Sequence, residues 1–192
     1  MSEPLGFGAE LLVYVGRVRQ FQRNDWIVYL SWVGTMIGLV VGTGGFLAFG
    51  AVHGVHFPSA AWWVPLGSML FSLSIAIDTI GHRSIYKPYI RRAEGLVHGI
   101  TIACGVGSCV LLCAAYRNEG AWIPALTLTV LSIIYSLVDE VFHWHRYWTE
   151  RSDRVEMWSH VGILTGHGVM MLGWWTWYFT GYQGVGATLS LL

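Results

Sequence analysis

The chain has 192 residues, 54% of them hydrophobic and only 11% charged, with a mean hydropathy of +0.52. A soluble domain carries roughly 25% charged residues, so this chain lacks the polar coat that a water-soluble particle needs. Eleven Lys/Arg balance eleven Asp/Glu, which leaves no basic surface for nucleic acid. Cys104, Cys109 and Cys113 share one apolar stretch and form neither a disulfide framework nor a Cys-x-x-Cys motif.

The first predicted element is amphipathic. Leu11, Leu12, Val15, Val18 and Phe21 recur at helical spacing with Arg17, Arg19 and Arg23 between them, the pattern of a helix lying in a membrane surface. No short apolar core followed by a small-residue cleavage site precedes it, so no removable signal peptide is expected. Five apolar stretches follow, at about 26–50, 60–82, 94–116, 121–145 and 155–180. Each is long enough for a bilayer core of about 30 Å, which takes roughly 20 helical residues. Helix is the expected form, because a lone strand would leave its backbone polar groups unpaired in hydrocarbon. The predicted fold is therefore all-α: one membrane domain over 1–192, a bundle of five transmembrane helices preceded by the interfacial helix.

Arg17, Arg19 and Arg23 precede the first span. Arg83, Lys87, Arg91 and Arg92 link the second and third, and Arg146, Arg151 and Arg154 link the fourth and fifth. Ten of the eleven cations thus lie on one side, with Arg117 opposite. The excess places the N-terminus in the cytoplasm and the C-terminus outside, and the compact chain suggests a bacterial inner membrane. The last link, with Glu150 and Asp153, is expected to be a solvated turn. Trp26, Trp62, Trp63, Trp122, Trp144, Trp148, Trp158, Trp174, Trp175 and Trp177 stand near span ends and are expected to form interfacial belts. Gly34, Gly38 and Gly42, and likewise Gly162 and Gly166, are spaced for close helix contact.

The informative residues are the ionisable ones in or beside the spans, because such groups are costly in lipid. Asp78 precedes His82 by four, Glu94 precedes His98, Asp139 precedes His143 with Glu140 adjacent, and Glu156 precedes His160. Residues four apart share a helix face, so each pair presents a carboxylate and an imidazole together. Eight His and eleven acids scattered at random over this length would give about 0.5 such pairs. Four occur, one on each of four consecutive spans, all at the predicted cytoplasmic end. His167, eleven residues past Glu156, lies within about 20° of the same face and three turns deeper.

Imidazoles and carboxylates converging from several helices are the ligand set of a binuclear site for iron, manganese, zinc or copper. Glu140-Val-Phe-His143 reproduces once the Glu-x-x-His unit of carboxylate-bridged di-iron bundles, a resemblance of architecture. The expected metal residues are Asp78, His82, Glu94, His98, Asp139, Glu140, His143, Glu156, His160 and His167. The share of hard oxygen donors favours iron. The expected activity is that of an integral-membrane oxidoreductase that uses oxygen to oxidise an apolar substrate taken from lipid. Electrons must come from an external reductase or quinol, since no flavin, nicotinamide or iron–sulfur motif is present. The alternatives are a b-type haem held between axial histidines and a non-catalytic subunit, proton- or metal-conducting, of a larger membrane complex. His53 and His56 fall in the first loop at the far end. His145 points away from His143, and Cys109 and Cys113 are expected to be packing residues.

Overall fold

A computed structural model describes residues 6–85, 92–150 and 153–192. Among these the chain is helical throughout, without a strand: α1 (Phe7–Gly16), α2 (Arg23–Val52), α3 (Ser59–Ser84), α4 (Arg92–Ala115), α5 (Trp122–Glu150), α6 (Arg154–Phe179) and α7 (Val185–Leu189). Lys87, Arg91 and Arg151, three of the cations that set the predicted orientation, lie outside the described residues, as do the side chains of Arg92 and Glu150. Four helices, α2 to α5, are long and apolar enough to cross a membrane. Helix α6 matches α3 in length at 26 residues, but Glu156, His160, His167 and its glycines dilute its apolar character.

The distribution of polarity is inverted relative to a protein in water. Leu30, Ile37, Val41, Leu66, Leu73, Leu96, Val110, Leu137, Val141 and Leu172 are exposed, whereas Ser68, Ser132, Asp78, Glu94, His143, Glu156 and His160 are buried. An outward apolar coat over a polar interior suits hydrocarbon surroundings. The interior hydroxyls are satisfied locally: Ser68 donates to the Val64 carbonyl at 2.7 Å and Thr129 to that of Ala125 at 2.9 Å.

Two helix pairs form the frame. Helices α3 and α6 pack closely because Gly67, Gly162, Gly166 and Gly173 bring the backbones together. A Cβ built at Gly166 would stand 2.5 Å from the Phe71 nitrogen and 2.9 Å from the Gly67 carbonyl oxygen. Gly34, Gly38 and Gly42 behave differently: among the described residues a Cβ at any of them meets nothing within 4 Å, so that ladder is not where α2 approaches a neighbour closely. The second pair is α4 with α5, and α2 leans on α3. Among the described residues, α4 makes no extensive backbone contact with α2 or α3.

The apolar core fills the half of the bundle away from the N-terminus, around Leu47, Val64, Leu112, Ala125, Met170, Trp174, Trp175, Trp177 and Tyr182. Trp174, Trp175 and Trp177 are thus core residues and not part of a belt, while Trp26, Trp122, Trp144, Trp148 and Trp158 are exposed. At the other end, α1 lies beneath the bundle. Tyr14, which the amphipathic pattern did not single out, is its buried anchor against Ile80 and Val155, with Leu11, Val18 and Phe21 beside it. The helix gives way to a 3-10 turn at Arg17–Gln20, and Leu12 and Val15 stay exposed. Glu10 pairs with Arg154 at 2.7 Å, and Arg17 with Asp153 at 3.8 Å.

Candidate metal centre

Helix α5 carries one buried polar seam: Thr129, Ser132, Ser136, Asp139, His143 and Arg146 alternate at spacings of three and four and so share a face. The C-terminal end of α3 presents Asp78 and His82, the start of α4 presents Glu94 and His98, and the start of α6 presents Glu156 and His160. Because the four helices alternate in direction, these ends meet in one layer. The rings of His143 and His160 are 3.5 Å apart between centroids, those of His82 and His98 5.2 Å, and those of His82 and His143 5.4 Å.

Carboxylates hold two of the imidazoles through Nδ1, while Nδ1 of His82 and of His98 donates to the backbone carbonyls of Asp78 at 3.2 Å and Glu94 at 3.0 Å. His143 Nδ1 donates to Glu156 Oε1 at 3.0 Å, and His160 Nδ1 to Glu140 Oε1 at 3.1 Å. His82 Nδ1 lies 3.2 Å from Asp78 Oδ2, and His98 Nδ1 3.2 Å from Asp139 Oδ1. A proton fixed on Nδ1 leaves the Nε2 lone pair for a ligand, the arrangement by which outer carboxylates orient metal-binding histidines. Glu140 and Glu156 therefore stand behind His160 and His143.

Four buried atoms in this layer have no hydrogen-bond partner: Asp78 Oδ1, Asp139 Oδ1, His143 Nε2 and His160 Nε2. Asp78 Oδ1 is 3.1 Å from His160 Nε2, and Asp139 Oδ1 is 3.7 Å from His143 Nε2. Unsatisfied buried acceptors are costly, and two oxygens with two nitrogens facing one another form a donor set that fits a cation. Asp139, His143 and His160 offer ligand atoms within 4.8 Å of one another, and so do His82, His98 and His143. The first trio is mixed, while the second is all imidazole with Glu94 Oε1 nearby, 4.0 Å from His82 Nε2.

Arg146 corrects the expectation of a solvated link. Helix α5 continues past 145 to Glu150, and Arg146 is buried, 2.6 Å from Glu94 Oε1 and 3.0 Å from Glu156 Oε1. Its place one turn beyond His143 on the polar seam is the signal that marks it. Arg83 binds Asp25 at the start of α2 at 2.8 Å, and Asp25 was not among the residues singled out from the sequence. Among the described residues the layer brings together five carboxylates, Asp78, Glu94, Asp139, Glu140 and Glu156, with the guanidinium of Arg146, an acidic setting that favours a cation.

His167 stands apart from this layer. Its Nε2 is 3.4 Å from Ser132 Oγ and its ring stacks on Phe71 at 5.5 Å. Between them lies a cavity of about 340 Å³, walled by apolar residues of α2, α4 and α6 and ending at Asp78, His98, Asp139, Glu140 and His160. His53 and His56 are exposed at the opposite end, and His145 is exposed on the outside of α5. No family model, no curated protein and no solved structure matches the chain.

Proposed function

We propose that the chain is an integral-membrane metal-dependent oxidoreductase whose acid–imidazole layer holds two metal ions and whose apolar cavity receives the substrate. In this reading α6 is the fifth span, the N-terminus and the metal layer lie on the cytoplasmic side, and the C-terminus lies outside. The supporting observation is the set of four buried donor atoms that make no hydrogen bond, Asp78 Oδ1, Asp139 Oδ1, His143 Nε2 and His160 Nε2, facing one another across three helices in pairs 3.1 and 3.7 Å apart. Two oxygens and two nitrogens suit iron or manganese better than copper.

When bound, the metal pair supplies oxygen activation. Overall, one O₂, two electrons from an external quinol or reductase and two protons would turn a substrate C–H bond into C–OH and release water. The chain's residues prepare the setting. Glu156 and Glu140 fix the His143 and His160 rings, Arg146 holds Glu94 and Glu156 in place, and the apolar walls keep water from the reacting carbon. A b-type haem is less well supported, because His143 and His160 lie ring to ring at 3.5 Å, too close to flank a macrocycle.

Elemental analysis of purified protein tests the reading. About two ions per chain are expected, with one or both lost in Asp139→Asn and His160→Ala. Absence of stoichiometric metal, or metal content unchanged in both variants, would overturn it. A Soret band in the purified protein would transfer the assignment to haem.

A further inference from the structure

The cavity above the acid–imidazole layer has a definite shape. Its α4 wall runs from His98 through Thr101, Ile102, Gly105, Val106 and Cys109 to Val110, about 18 Å at the helical rise per residue. Its α6 wall, from His160 to Met170, covers about 15 Å. A cavity of about 340 Å³ drawn out over that length is an elongated, apolar slot, a shape that suits an extended alkyl chain. Helices α2 and α4, which both line the slot, make no extensive contact with each other among the described residues, and a gap there would admit an occupant laterally from lipid.

In a membrane the hydrophobic effect does not select the occupant, because lipid tails are as apolar as the slot. Shape and the polar end decide. At that end Thr101 Oγ1 is buried without a hydrogen-bond partner, one turn from His98. Thr79, on the opposite wall, returns its hydroxyl to the Ile75 carbonyl at 2.7 Å. A helix hydroxyl in hydrocarbon ordinarily bonds back to its own helix in this way, so Thr101 has a donor and an acceptor to spare. Without bound metal the carboxylates of the adjoining layer oppose an anionic headgroup.

We infer that the slot binds one unbranched hydrocarbon chain of about a dozen carbons, its uncharged oxygen-bearing end at Thr101 beside the metal layer. The inference rests on the proposed metal site only for what happens to the chain afterwards; binding itself is a property of the slot. The full-length protein is purified in a steroid-based detergent, which has no linear tail, and equilibrium binding of radiolabelled 1-dodecanol is measured with metal content determined on the same samples. Saturable binding of one molecule per chain is expected, displaced by unlabelled 1-dodecanol but not by cyclododecanol nor, in a comparison made on metal-free protein, by dodecanoate.

Gly105 lies on the slot wall, where an added Cβ meets nothing within 4 Å. Gly105→Leu should therefore fill the slot without disturbing the helices and weaken binding at least tenfold, leaving metal content unchanged. Thr101→Val should weaken 1-dodecanol about fivefold and leave dodecane unaffected. Metal without saturable dodecanol binding, equal displacement by cyclododecanol, or undiminished binding to both variants would overturn the inference and leave the metal reading standing. Dodecanol binding without metal would do the reverse.

Discussion

Arg146 shows how much a single side chain can decide. It sits between Glu94 and Glu156, which come from different helices, and it is the only cation in direct contact with either among the ion pairs described above. Removing one partner of such a buried network leaves the others as uncompensated charges, at a cost of about 3–5 kcal/mol. Arg146→Ala is therefore expected to lower the thermal unfolding midpoint markedly, and adding Glu156→Gln should recover part of the loss. Unchanged unfolding of the single variant would show that the guanidinium is not what holds the two carboxylates. That acids and histidines share a face at one end of four helices was legible in the sequence because four-residue spacing has one geometric meaning on a helix. Which acid meets which imidazole was not, since His143 meets Glu156 and His160 meets Glu140. Nor was the role of Arg146, since a cation near a span end also fits a solvated turn, and only the continuation of α5 to Glu150 decides between them.

Helix packing separates two glycine ladders that look alike in the sequence. Gly166 faces the α3 backbone, whereas Gly38 faces outward. Gly166→Ala should force α3 and α6 apart and cost about 1–3 kcal/mol. Gly38→Ala should be neutral or slightly stabilising, as alanine is the better helix former by about 1 kcal/mol. Unfolding of both variants in the same detergent compares them, and equal destabilisation would contradict the packing described. The positions of the long helices were legible because bilayer thickness dictates the length of an apolar run. Which face of each helix turns inward was less so. Outward faces in lipid are as apolar as inward ones, and for that reason Trp174, Trp175 and Trp177 gave no sign that they belong to the core.

Across the whole molecule, the pairs α3/α6 and α4/α5 meet at the layer of acids and histidines, where α3 and α4 touch through side chains such as His82 and His98. Ions bridging the layer would then act as the cross-link between the two pairs. A thousandfold excess of Fe(II) or Mn(II) over its dissociation constant should add about 4 kcal/mol of stability. The same addition should slow amide exchange at the start of α4 and the end of α5, with little change at the opposite end of the bundle. Exchange that slows uniformly, or not at all, would show that the layer does not join the pairs.

The cluster of Trp174, Trp175, Trp177 and Tyr182 has one more consequence. It fills the far half of the bundle with apolar side chains, so in the proposed reaction protons would be drawn from the end that α1 faces. Turnover would then consume protons on one side without moving charge through the membrane. In that reading the protein would draw on the cell's reducing power and leave its membrane potential untouched.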